Sequence, residues 1–554
     1  MGIATTREDE RVMAMSGFNA YAPCIFEHQE SVLNAGVLFS IPALLSQGLD
    51  KAFNVFRPLP AGFYGLHHII LILCFMALCR IKNPEQLKKH SPGEFGKLLG
   101  LDRVPQVEHF RTKLKQITDQ SKTDELHSIL FQSWVEQMPQ MFFYVDGHVL
   151  VYHGDKANLP KRFVSREKLC LSGTTEFWIN DQNGLPLMVI TGELNEKLKV
   201  AIEQAIPQLK SVINITPKDN EPLFTLVFDR EAYEPDWFFQ LWREHQIAVI
   251  TYRKNVKDEW NKSIFKDTDI QIYNTTVSMQ LCEMGTKIGG HWFREIRRLT
   301  QNEHQTSIMT THPNLDIQHA ASKMFARWTQ ENYFKYMAEN FDFDRMIEYG
   351  VEPVNQKLTI PNPEYKKITY ELKKSREKKA RLEARVYKKM DVSEQKSHED
   401  ILKSIVQSDS LIEKISQFND TIKSLLEKRK SIPTRISVAD MPQEKRYNKL
   451  KQEGKKLKNA IIMIAYRAES SLYNIMREYY KSNTKEGRQI LKEIFTTDAD
   501  LIPDYQKGEL IVRLHSLSTP RANEAVKNLC SLLNDTKSVF PYTNLTLVYQ
   551  TVAR

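Results

Sequence analysis

Apolar and polar positions change rhythm three times along the chain, and each change predicts a different kind of structure. Up to about residue 135 the apolar residues recur at helical spacing. The most apolar run, Ile69 to Cys79 (IILILCFMALC), predicts a buried helix over Gly65–Ile81. Asn83-Pro84 closes it, because the residue before proline avoids the helical region. From Ser91 the pattern gives a short helix over Glu94–Leu99, a turn LDRVP and a second helix over Gln106–Ile117. Two helices joined by a glycine-containing turn have the outline of a DNA-reading helix-turn-helix, and also of any two-helix corner. Arg111, Lys113 and Lys115 on the second helix are candidate DNA contacts.

From about residue 136 the spacing shortens to that of strands. Gln140–Gly154 (QMFFYVDGHVLVYHG) is aromatic and β-branched, and Leu169–Asn180 and Leu185–Glu193 follow around a turn at Asp181–Gly184. An amphipathic helix over Asn195–Leu209 precedes a strand at Leu223–Phe228, a helix at Pro235–His245 and a strand at Ile247–Tyr252. Residues 255–315 are polar and strand-like, and one strong helix over His319–Glu339 closes the region. The second change comes near residue 351 and the third near 471. Long charged helices are expected over 351–470, an antiparallel pair with Pro433 near its connection, before a small C-terminal α/β unit over 471–554. In that unit Glu509–Leu517 and Asn544–Val552 read as strands flanking a helix at Asn523–Leu533, a connection long enough for parallel pairing.

Composition narrows the picture modestly. With 41% hydrophobic and 26% charged residues over 554 positions, the chain reads as a folded multidomain protein. The apolar run at Ile69 is well short of the roughly 20 residues a spanning helix needs, so no membrane role is expected. Six scattered cysteines without a CxxC pair suit free thiols in a reducing cytoplasm, with neither disulfides nor a zinc site. The N-terminus lacks the apolar core of a signal peptide. Between residues 361 and 460 there are 26 lysines and arginines against 15 acids, an excess larger than the whole chain's net charge of +9. Such a stretch could follow a DNA backbone, or be the solvated face of a coiled coil.

Three acids carry the candidate chemistry. Asp146 directly follows FFYV and Asp229 directly follows LFTLVF, so both are expected where a strand leaves the core. Paired carboxylates repel unless a cation lies between them, and their hard oxygens suit magnesium. Glu331 is the third candidate; Arg327 four residues before and Lys335 four residues after it share its helical face. An ordinary surface ion ladder has the same spacing, but Phe325 and Trp328 would anchor this helix to a core.

These residues resemble the catalytic core of ribonuclease H-like DDE transposases of bacterial insertion sequences. In that fold the first Asp lies on the first strand, the second follows the fourth strand, and the Glu lies on a late helix. FDREAY (Phe228–Tyr233) matches the motif around the second acid at Asp229, Arg230, Glu231 and Ala232. The third-acid motif, Y-x2-R-x3-E-x6-K, matches at Arg327 and Glu331. Its tyrosine position holds Met324 and its lysine position Ala338, with Lys335 one turn nearer. The 101 residues between Asp229 and Glu331 leave room for the mainly β insertion of that family.

The resemblance implies an α/β fold: a ribonuclease H-like catalytic core with a mixed sheet over 136–254 and 316–350, and a β insertion over 255–315. A helical N-terminal domain over 1–135 and a helical C-terminal extension would flank it. It also implies two Mg²⁺ ions, with Mn²⁺ as a substitute, held by Asp146, Asp229 and Glu331, cutting and joining DNA at element ends. Arg230, Arg327 and Lys335 would hold phosphates, and Trp292 or Trp260 would stack on a flipped base. His148, two residues past Asp146 on the same strand face, reads as a structural histidine, with a proton or phosphate role as the alternative. The expected partners are transposon-end and target double-stranded DNA and a second copy in a DNA-bridged dimer, in the bacterial cytoplasm at the nucleoid. A nuclease without strand transfer, or a DNA-binding derivative of a transposase, would share these features.

Overall fold

The computed structural model describes the chain outside residues 1–5, 139–140, 165–166, 193–195, 214–219, 273–274, 326–327, 344–349, 355–358, 391–397, 444–445, 481–483 and 553–554. For residues 162, 275, 328–331, 387–390 and 398–408 the description covers the backbone alone. The chain folds as two compact units, one of residues 1–152, 162–349 and 451–554 and another of 153–161 and 350–450.

The first unit opens with α1 (Glu8–Met15), β1 (Gln29–Val32), α2 (Ile41–Ser46), α3 (Leu49–Val55), α4 (Leu66–Leu78), α5 (Pro92–Lys97), α6 (Val107–Thr118) and α7 (Thr123–Val135). The apolar run forms α4, in which 11 of 13 residues are buried, so it has no polar stripe. Arg80 ends it in the left-handed region (φ 62°), with the Ile81 N–H donating to the Met76 carbonyl at 2.8 Å. The turn between α5 and α6 carries Gly100 at φ 63°.

A large sheet follows, from β2 (Phe142–Val151), β3 (Lys161–Val164), β4 (Leu169–Asn180) and β5 (Pro186–Thr191). Next come α8 (Leu198–Val212), β6 (Phe224–Phe228), α9 (Pro235–His245) and β7 (Ile247–Tyr252). β8 (Lys266–Ile272), β9 (Thr275–Ile288), β10 (His291–Leu299), β11 (Gln305–Thr310), α10 (Ile317–Phe325) and α11 (Trp328–Phe341) complete the region. The strand order is β3-β4-β2-β6-β7-β11-β10-β9-β8, with β5 also on β4. β2, β6 and β7 are mutually parallel, and β2–β4, β4–β5 and β7–β11 are antiparallel. β6 is buried at every position, as expected of a parallel strand covered on both faces. The polar strands β8 to β11 continue this same sheet. α10 and α11 cover the span of the helix expected over His319–Glu339, apart from residues 326–327, which lie outside the described ones.

The second unit holds β12 (Val351–Pro353), β13 (Thr359–Pro361), α12 (Pro363–Met390), α13 (His398–Ser431), β14 (Arg435–Ser437) and β15 (Asn448–Leu450). α12 packs against α13, and β13 pairs with β14 to hold the base of the helical pair. Pro433 follows the end of α13, so it stops that helix and does not connect the two.

The chain then returns to the first unit through α14 (Glu453–Met476), α15 (Thr484–Thr496), β16 (Ala499–Asp504), β17 (Glu509–Leu514), α16 (Pro520–Asp535) and β18 (Thr546–Thr551). β17 and β18 are parallel across α16, and β1 from near the N-terminus completes a four-stranded sheet in the order β1-β16-β17-β18. α14 is the central post, packed on α2, α4, α7, α15 and α16.

Candidate active site

Asp146 and Asp229 are brought side by side by strand register. β2 and β6 are parallel neighbours with Val145 opposite Phe228, so the next residue on each strand is Asp146 and Asp229. Asp146 is not at a strand end: β2 runs on for five residues to Val151, held there by β4. β6 instead stops at Phe228, and Asp229 caps the 3-10 turn Arg230–Ala232. The shorter strand leaves a notch in the sheet beside Asp146. Both side chains are partly exposed. Asp146 Oδ1 accepts the Gly147 N–H at 2.9 Å, and Asp229 Oδ1 accepts the Arg230 N–H at 2.5 Å.

Alternation along the strands assigns the acids to one face. Tyr144 and Val227, two positions before the acids, join Ile250, Ile296, Ile308, Ala320 and Met324 in one apolar cluster. The backbone at Asp229 is still extended (φ −79°, ψ 175°), so the alternation carries through to it. This is the face that α10 and α11 cover. The Tyr144 hydroxyl donates to the Lys323 carbonyl of α10 at 3.0 Å. On α11, Phe334 stacks on His148 (5.2 Å between ring centroids) and Tyr333 lies 5.8 Å from Trp178, which is opposite Asp146 in β4.

Glu331 belongs to α11, and its side chain lies outside the described residues, as does Arg327 altogether. Lys335 is exposed one turn beyond Glu331. Arg230 is exposed, with its guanidinium 5.5 Å from the Tyr252 ring centroid. Glu231 is exposed as well. His148 packs against both Phe334 and Phe343.

Trp292 is 69% exposed, beside the two-residue loop Gly289-Gly290 that turns β9 into β10 with positive φ at both glycines. Register through β11 and β7 (Arg294–Thr310–Ile250, level with Val227) places it on the acids' face of the sheet. Trp260 differs: the Arg297 guanidinium covers its ring at 4.1 Å. In α6, Arg111 is exposed and paired with Glu85, and Lys115 is exposed. Lys113 is 4% exposed and directed at the Pro60 carbonyl (3.4 Å), and burial lowers the pKa of its ammonium.

One cluster has no signal in the cysteine spacing. Cys24, His67 and His68 are all buried, with their donor atoms within 4.8 Å of one another. The Gly65 N–H donates to His68 Nδ1 at 3.1 Å, which leaves the ring proton on Nε2, 3.4 Å from Cys24 Sγ. A metal on that Nε2 would force the proton onto Nδ1, against the Gly65 N–H, so the arrangement is a neutral thiol–imidazole pair. Burial pushes the thiol up to about 12 and pulls His67 down to about 4. The adjacent His-His at the start of an apolar helix is the only hint of it in the sequence.

The fold and the acids define a mixed α/β protein with a carboxylate pair at the edge of a parallel strand pair. A family model described as a transposase protein matches residues 2–553. The chain belongs to this transposase family, which implies DNA as its partner. No curated protein matches it. Among the described residues no helix is long and apolar enough to cross a membrane.

Proposed function

We propose that the chain is a DDE transposase with a ribonuclease H-like core that cuts and joins DNA at the ends of its element. The observation that carries this reading is the pairing of Asp146 and Asp229 at one level of adjacent parallel strands, under the helices that include Glu331. The order of elements supports it too: β2, β4 and β5, then α8, β6, α9 and β7, with the first acid on the first strand and the second directly after β6. The short β3 is an addition to that order.

The donor set fits divalent metal. Two carboxylates on neighbouring strands offer hard oxygens at a partly open edge, and their mutual repulsion is relieved by a cation. Asp146, Asp229 and Glu331 would hold Mg²⁺ or Mn²⁺, which when bound supplies activation of water and neutralisation of charge on the phosphate. The chain's own residues do the remaining work. Arg230 and Lys335, exposed near the acids' strand and on Glu331's helix, would hold flanking phosphates, with Arg327 beside them in sequence. Trp292 offers an open indole face on the same side of the sheet for a displaced base.

Incubating the purified full chain with Mg²⁺, a target plasmid and DNA carrying the sequences that flank its gene tests the reading. End cleavage followed by covalently joined products is expected, and both should be lost in Asp146→Asn and Asp229→Asn while DNA binding persists. Nicks without joined products would favour a nuclease; binding without cleavage would favour a DNA-binding derivative.

A further inference from the structure

A cluster of buried charge meets the helix that carries Glu331. Glu469 of α14 is fully buried, and three groups from three other elements converge on its carboxylate. Arg80, after α4, donates from Nη2 to Oε2 at 2.6 Å; Arg488 of α15 donates from Nη1 to Oε1 at 3.0 Å; the Tyr336 hydroxyl of α11 donates to Oε1. The same Arg80 nitrogen also reaches the Tyr336 oxygen at 2.9 Å. Burial alone would raise the Glu469 carboxyl, but Arg80 and Arg488 outweigh it and hold it below the usual range. Burial, then Glu469, pushes the Tyr336 phenol up, so it stays protonated and donates.

Burying three charges is costly, and a well-packed apolar contact of the same volume stabilises as well or better. What the charges add is direction. Aromatic rings also join α11 to α14: Tyr333, Tyr336 and Phe341 lie 5.2, 5.9 and 6.2 Å from the Tyr466 ring. Such a contact resists separation but sets rotation about the helix axis weakly. The hydrogen bond from Tyr336 to a carboxylate fixed by two guanidiniums sets it tightly. Arg80 itself is held at φ 62°, where arginine is disfavoured, consistent with a guanidinium tied at its far end.

We infer that Glu469 is a positioning residue: through Tyr336 it fixes the rotation of α11 and so the direction in which Glu331 leaves the helix. This rests on the reading of Glu331 as the third acid. The amino-acid pattern gives no hint of it, since Glu469 is 138 residues from Glu331.

The test uses the full chain. Tyr336→Phe removes the single hydroxyl and leaves both ion pairs; Glu469→Gln removes the charge and serves as the stronger variant where it folds. The expected result for Tyr336→Phe is a near-normal melting temperature and DNA affinity, with half-maximal cleavage needing about ten- to hundredfold more Mg²⁺, as when outer-shell partners of metal ligands are lost. Hydrogen exchange should quicken in α11 and not in α4 or α15. An unchanged Mg²⁺ requirement in a folded variant, or α11 exchange unaltered, overturns the inference. If the wild type does not cleave, the transposase reading fails, and the exchange result alone decides whether Glu469 fixes α11.

Discussion

Two aspartates side by side on parallel strands repel each other, and the register that puts them there is set by Val145 opposite Phe228. Asp229 is legible in the sequence because an apolar run stops beside it and the DREA residues follow. Asp146 is legible as an acid after an apolar run. Its place inside a longer strand is not, since β2 continues through Gly147 and His148 only because β4 pairs with it. Lys113 shows the opposite failure. Its neighbours Arg111 and Lys115 suggest one basic face, yet helical geometry turns Lys113 inward to Pro60. His67 gives a residue-scale prediction. Its folded pKa is depressed from 6.5 to about 4, so the unfolded chain binds the extra proton first as pH falls. Stability should therefore be full above pH 6.5 and decline by about 2–3 kcal/mol between pH 6.5 and 4.5. His68, lowered likewise by burial, adds to the same slope. Urea denaturation at several pH values checks this, and His67→Phe should flatten the slope; an equal slope in that variant would refute the assignment.

At the scale of elements, boundaries are clearest where local chemistry sets them. α9 begins with Pro235 at its first turn and ends before Gln246, which adopts the left-handed conformation (φ 52°), and both ends fall where the sequence predicts. The helical pattern over His319–Glu339 is legible as well, because the apolar spacing runs unbroken from Ala320 to Met337 and α10 and α11 lie along it. α6 carries the element-scale prediction. Reversing its exposed charges, Arg111→Glu with Lys115→Glu, should weaken binding to end DNA about tenfold or more and reduce its salt dependence, without altering the melting temperature beyond a degree or two. Lys113→Met should do the reverse, leaving DNA affinity intact. Filter binding across a salt series measures both; unchanged affinity in the double variant would remove α6 from the DNA interface.

Across the whole molecule, the largest gap between sequence and structure is long-range pairing. β1 and β16 are antiparallel partners from opposite ends of the chain, and α14 threads from the C-terminal third into the packing of α2, α4 and α7. Periodicity reports each element's buried face but not which distant element covers it. β17, α16 and β18 are readable one by one, whereas β16 (Ala499–Asp504) is not, and the N-terminal strand that completes their sheet is too short and polar (Gln29–Val32) to signal itself. The same blindness hides the brace around Glu469, two of whose three partners, Arg80 and Tyr336, come from elements far away in the chain.

A metal-switch experiment addresses Asp229 as a metal ligand most directly. Asp229→Cys replaces a hard oxygen donor with a softer sulfur, which Mn²⁺ accepts more readily than Mg²⁺. The predicted result is a variant inert on element-end DNA in Mg²⁺ and active again in Mn²⁺. Cleavage in Mg²⁺ at the wild-type rate would contradict it.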